Sequence, residues 1–331
     1  MFTHKSKTRL KSVFCCILAV GFLAAFTSCN SIQNAVFTAL SGANQKGVPV
    51  KQKSGSVNPM SAVTGETDIV LVADFFPTAL KLYDILLSQN PDHLGLAQTT
   101  GSLHVMYGNA FIQTQAEVLP LDRYDEQNAE YLRAEEHYLR GRDIILAALD
   151  VKYPGFKGAI LSKDAERVHA AVQKITKNDV PSAYWASAGW LSAFALDPLN
   201  DALLVNAKNA SILLERACAL EPDFNGGAIW DALAAFYKAA PSDFGGDAER
   251  AEFCMKESMR ISGGKTPGPY VTYAQTFCVP AQDVAGFKEA LTKAISFDPN
   301  ADPDARLVTI ITQNRARWLL AHTDDYFLVW D

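Results

Sequence analysis

Chemistry-bearing residues are scarce in this chain, and their placement excludes more than their number does. Of six cysteines, Cys15 and Cys16 fall in an N-terminal export segment, and Cys218, Cys254 and Cys278 form an odd set without metal-ligand spacing. Within helical patterns a free thiol behaves as a small hydrophobe, so these three are expected to pack in the core. Six histidines, at positions 4, 93, 104, 137, 169 and 322, make no HExxH or other short ligand pair. No GxSxG motif surrounds a serine, and carboxylate pairs such as Asp324-Asp325 read as solvated charge in turns. The expectation is therefore no catalytic residue, no metal and no cofactor. An envelope hydrolase would need a nucleophile and base that the sequence does not offer. Lysine and arginine are not clustered and the formal net charge is −6, which disfavours nucleic acid as a partner.

One stretch looks like an exception. Gly264-Lys265-Thr266, inside SGGKTPG, is the tail of a phosphate-binding loop. A complete loop carries another glycine five positions before the Gly-Lys pair, where backbone amides curl around phosphate, and Met259 stands there. A helical pattern precedes the stretch and Pro267 and Pro269 follow it, so a stop between two helices is the better reading.

The N-terminus is an export signal. Lys5, Lys7, Arg9 and Lys11 precede an uncharged, mostly apolar run from Val13 to Phe26, too short for the roughly 20 residues of a spanning helix. Thr27 and Ser28 then lead to Cys29, in a relaxed version of the lipobox whose cysteine receives a lipid (palmitate among its acyl chains) and becomes the mature N-terminus. An ordinary secretory signal, cleaved after a small residue from Ala24 onward, is the alternative. Loss of residues 1–28 removes four basic residues and no acid, moving the net charge from −6 to −10. Residues 29–66 are expected to form a lipid-anchored flexible tether, because positions 41–67 are rich in Gly, Ser, Pro and Lys.

From position 67 to 331 apolar residues recur at three and four spacing, which predicts an all-α domain of tetratricopeptide-like helical hairpins stacked into a compact α-solenoid. Helical patterns stop at Pro91, Pro154, Pro222 and Pro299, and the interval from Pro154 to Pro222 is twice the 34-residue repeat period. Counted from Gly227, the large, large, small and aromatic places of a first repeat helix hold Trp230, Leu233, Ala234 and Tyr237. Second-helix alanines are expected at Ala210, Ala217, Ala251 and Ala294, where close packing excludes bulk.

The phrases DFFPTALKLYDILLSQNPDHLGL, YLRGRDIILAALDVKYPGF, AYWASAGW, RACALEPDFNGGAIWDALAAFY, FGGDAERAEFCMKESMRISGG, AQDVAGFKEALTKAISFDP and NRARWLLAHTDDYF occur in this order. Together they resemble the tetratricopeptide lipoproteins that accompany some TRAP transporters, the tripartite ATP-independent periplasmic carriers, over roughly residues 67–328. Phe75-Phe76 before Pro77, and Cys254-Met255, depart from the usual pattern. The resemblance implies a periplasmic protein tethered to the membrane, most simply the inner one, by lipid on Cys29. It implies docking to the transporter's solute-binding subunit, hand-over of a hydrophobic or organic-acid ligand, and homotrimers with a ligand-accessible hollow in each protomer. It implies no enzyme activity. A cell-envelope scaffold lipoprotein is the alternative function for the same solenoid.

Aromatics concentrate at Tyr184, Trp185 and Trp190, then at Trp230, Phe236 and Tyr237. Helix stacks usually bury such groups as core, but a family with a hollow makes Tyr184, Trp185 and Trp190 the ligand-binding candidates, with Trp230 and Tyr237 assigned to the repeat core.

Overall fold

Four helix ends obey one local rule. Asn90, Tyr153, Asp197 and Glu221 each precede a proline and each leave helical geometry, with φ of −138°, −126°, −132° and −152°. The proline ring clashes with a helical predecessor, so the chain stops and turns at these points. Helix starts are equally local: Asp68, Asp164, Asp247 and Asp283 accept hydrogen bonds from first-turn amides that have no partner inside the helix.

The computed structural model describes residues 61–198 and 200–328. Cys29, the signal segment and most of the expected tether lie outside the described residues. Among those described, every regular element is helical. The longer ones are α1 (Ile69–Gln89), α2 (Leu94–Tyr107), α3 (Tyr124–Lys152), α4 (Ala165–Val172), α5 (Val180–Leu196) and α6 (Ala207–Leu220). They continue through α7 (Ala228–Ala239), α8 (Ala248–Ser262), α9 (Gly268–Tyr273), α10 (Val284–Ile295) and α11 (Arg306–Ala321). Neighbours in sequence pack as antiparallel hairpins, with α2 on α3, α5 on α6, α7 on α8 and α10 on α11 the main pairs, and α3 also lies along α5. This is the expected all-α repeat architecture.

The repeat positions behave as their sizes require. Ala210, Ala217, Ala234, Ala251 and Ala294 are fully enclosed where helices approach closely, and Leu233 and Tyr237 are buried beside them. Trp230 is only half-buried: its indole N–H donates to the Pro222 carbonyl at 2.9 Å and its ring meets the exposed Phe253 edge-on. Cys218, Cys254 and Cys278 are buried free thiols. Burial pushes the Cys218 thiol up to about 12 and the other two up to about 11, which leaves them un-ionised and inert. The SGGKTPG stretch ends α8: Gly263 and Gly264 take positive φ of 55° and 68°, and the Lys265 amide bonds the Ser262 carbonyl at 2.8 Å.

Backbones come close where α2, α3 and α5 meet. A methyl group added at Gly141 would lie 2.5 Å from the Gly101 carbonyl oxygen, and one at Gly189 would lie 2.8 Å from the Tyr138 carbonyl oxygen. These backbones touch, so this triple contact fixes the side chains that α2, α3 and α5 present to one another.

The two ends of the helix stack also meet. Arg306 donates to the Gly65 carbonyl at 2.9 Å, the turn Ser61–Thr64 packs on α11, and Arg315 pairs with Glu117 at 2.8 Å. These contacts turn a row of hairpins into a closed circuit.

Candidate functional site

Two single-turn π segments interrupt the helices. Gly108–Gln113 continues α2, and Ala274–Cys278 continues α9. A π turn inserts one residue into the helical ladder and re-aims the side chains around it, and such turns are frequent at functional sites. The first delivers Gln113 and Asn109 to the hydroxyl of the buried Tyr138, which donates to Gln113 Oε1 at 2.5 Å. Gln113 Nε2 in turn donates to Glu117 Oε1 at 2.9 Å, and Glu117 holds Arg315. A polar chain thus runs from α3 through the π turn to α11.

The second π segment follows Thr272, whose hydroxyl donates to Asp231 Oδ2 on α7 at 3.0 Å. The other carboxylate oxygen of Asp231 is closed off and has no hydrogen-bond partner. Desolvation by burial pushes the Asp231 carboxyl up to about 6, against the opposing hydrogen bond from Thr272. Tyr184 on α5 is deeply embedded as well, and burial, with Asp231 adding to it, pushes its phenol up to about 12. Yet Tyr184 and Asp231 both keep part of their surface accessible. Trp185, edge-on to Tyr184 at 5.1 Å, and Phe224, 5.3 Å from Tyr184, are half-buried beside it.

The three aromatic candidates therefore separate. Tyr184 and Trp185 pack together and keep accessible surface. Trp190, one and a half turns further along α5, is fully buried. Its ring lies under the Arg142 guanidinium at 5.2 Å, and its indole N–H has no partner. Sequence reasoning missed Asp231 and Thr272, 41 positions apart, because only the α7–α9 packing joins them.

It also missed a histidine pair. His104 on α2 and His137 on α3 bring their Nδ1 atoms to 3.0 Å, and Asp84 on α1 lies 3.1 Å from His104 Nε2. A carboxylate accepts, so Nε2 of His104 carries the proton, His104 Nδ1 accepts, and His137 Nδ1 donates. Desolvation lowers both histidines, His137 to about 4, with His104, Arg140, Arg133 and Lys81 adding repulsion. Each ring spends a nitrogen on the other, and among the described residues no group of three or more metal-ligating side chains converges. The trio joins α1, α2 and α3.

On the outer side of α1, Leu71, Phe75, Leu82 and Ile85 are 57, 50, 43 and 55% exposed. Their spacing of four, seven and three places them on one stripe of the helix. No helix among the described residues is long and apolar enough to cross a membrane.

The sequence pattern of the TRAP transporter T-component family matches residues 65–327, nearly the whole described structure. The chain belongs to that family. An uncharacterized protein of Treponema pallidum (strain Nichols) is 43% identical over 265 residues, covering 80% of this chain and 82% of the relative. This T-component is thus a transporter accessory whose family membership implies association with a TRAP transporter in the cell envelope.

Proposed function

We propose that this T-component is a lipid-anchored periplasmic protein that docks the solute-binding subunit of its TRAP transporter and holds a small ligand against Tyr184 and Trp185. The observation that carries the reading is the family match across a helix stack that closes on itself and leaves embedded aromatic and polar side chains with accessible surface. Docking is protein recognition, and the exposed apolar stripe on α1 offers the solute-binding subunit a surface of the kind that marks interaction sites. The acidic mature chain orients a basic partner during encounter, an effect on rate and specificity more than on affinity. Cys29 carries the lipid, most simply in the inner membrane, and the protomers assemble as the homotrimer that the resemblance implies.

Gentle detergent extraction of the native protein, followed by crosslinking and mass spectrometry, tests this. Recovery of a TRAP solute-binding subunit supports the docking role, and loss of the protein from the membrane fraction on Cys29→Ala supports the anchor. Recovery of envelope-assembly proteins without any TRAP component would instead favour the scaffold alternative.

A further inference from the structure

We propose that the open cleft between the ends of α8 and α10 binds a free α-amino acid, recognised by both of its charges at once. The cleft has a volume of about 580 Å³, within the range of small-ligand sites. Its walls are Gly264 and Lys265 after α8, Lys293 in the last turn of α10, and Phe297, Asp298 and Asp302 beyond that helix. The inference goes beyond the proposed function, since it involves neither Tyr184 and Trp185 nor the docked subunit.

Three features select a ligand that carries one charge of each sign. First, Lys265, Lys293, Asp298 and Asp302 all line this cleft, yet none of the four forms an ion pair among the described residues. Two cationic and two anionic groups share one cleft with their charges unmet. Second, each aspartate commits one oxygen to nearby backbone: Asp298 Oδ1 accepts from the Asn300 amide at 2.9 Å, and Asp302 Oδ1 from the Asp304 amide at 3.1 Å. These bonds steady the carboxylates and leave each Oδ2 for an ammonium group. Across the cleft, positive φ at Gly263 and Gly264 carries the chain out of the α8 ladder, and the Gly264 N–H makes no hydrogen bond among the described residues. A carboxylate would take that amide together with the lysine ammonium groups. Third, Phe297 is half-buried, with its ring 5.7 Å from that of Tyr270 and Lys293 Nζ 5.9 Å from its centroid. An apolar wall beside a few charged groups suits the side chain of an amino acid.

The same arrangement acts against a ligand of single charge. A phosphate would meet two lysines but also two carboxylates, and a simple amine would meet the reverse. A zwitterion offers an acceptor to the lysines and the Gly264 amide and a donor to the aspartates, so neither set is left facing its own sign. Exposed charges attract weakly one at a time, and the match at both ends supplies the selectivity.

The test is equilibrium dialysis of the full-length lipidated protein in detergent against radiolabelled leucine, at neutral pH and low salt, with detergent-only blanks. Two competitors each keep one charge on the same skeleton: isocaproate lacks the ammonium group and isoamylamine lacks the carboxylate. Leucine is expected to bind saturably and at least roughly tenfold more tightly than either competitor. Lys265→Gln combined with Lys293→Gln is expected to weaken leucine at least roughly tenfold while leaving isoamylamine no weaker. Both lysines are exposed, so their replacement leaves the core untouched. Asp302→Asn gives the converse, weakening leucine and isoamylamine but not isocaproate. Absence of saturable leucine binding, or leucine binding no more tightly than the competitors, overturns the inference. So does leucine affinity unchanged in the lysine variant, the result expected of lysines that only complement the C-termini of α8 and α10.

Discussion

Arg315 on α11 donates to Glu117 at 2.8 Å across 198 residues of sequence, and both side chains are mostly buried. No local preference brings these residues together. Their contact depends on the whole stack curving back on its start, and it holds the Gln113–Tyr138 chain in place from one side. Glu117→Gln leaves Arg315 with an uncompensated, mostly buried charge, and is expected to cost about 1–3 kcal/mol in urea unfolding. Pairing it with Arg315→Met should recover part of that loss, because replacing both partners removes the orphaned charge. Additive losses in the double variant would show that the contact contributes nothing as a pair.

The glycine contact between α3 and α5 sets a second expectation. In an exposed helix, Gly→Ala stabilises by up to about 1 kcal/mol. At Gly189 the new methyl group would meet the Tyr138 carbonyl at 2.8 Å and Val105 at 2.9 Å, and backbone cannot step aside as a flexible side chain can. Gly189→Ala is therefore expected to destabilise by about 1–3 kcal/mol. Gly158, with nothing near its added methyl group, serves as the control. A neutral Gly189→Ala would mean that the helices separate easily.

The two tryptophans of α5 should respond differently. Trp190 is fully enclosed, so Trp190→Ala is expected to cost about 3–5 kcal/mol. Trp185 is half-buried against Tyr184, and Trp185→Ala should cost clearly less. Equal stability losses in the two variants would make both residues core.

Two titrating groups pull stability in opposite directions with pH. His137 is lowered from 6.5 to about 4 by desolvation first and then by His104, Arg140, Arg133 and Lys81; Tyr107 packs edge-on to its ring, and Asp84 lies on the far side of His104. Between those values the unfolded chain takes up a proton that the folded chain refuses. This contribution is therefore complete above about 6.5 and is lost as pH falls towards 4. Asp231 is raised from 3.8 to about 6, so the folded chain holds the extra proton, and stability from this group falls as pH rises through that window. Urea midpoints across this range should lose their acid-side fall in His137→Gln and their neutral-side fall in Asp231→Asn. Profiles of both variants that overlay the parent protein would contradict these assignments.

Most of the architecture was legible because its determinants are local. Prolines after Asn90, Tyr153 and Glu221 stop helices, and Ala251 and Ala294 mark tight helix pairs. The aromatic wall was half legible. Tyr184, Trp185 and Trp190 share one helix, but their spacing alone does not tell a fully enclosed ring from a half-buried one. Asp231 with Thr272, His104 with His137, and Glu117 with Arg315 were not legible at all. Each pair is joined by tertiary packing between separated helices, which leaves no periodic signature. The π turns were equally hidden, since GNAFIQ and AQTFC carry ordinary helical residues.

The most direct test of the accessory role is calorimetric titration of the purified T-component with the solute-binding subunit of a TRAP transporter from the same organism, using the parent protein and Phe75→Asp. A saturable complex of roughly micromolar affinity or tighter, weakened at least roughly tenfold by Phe75→Asp, is the expected result. Absence of binding with both proteins folded would contradict the docking role.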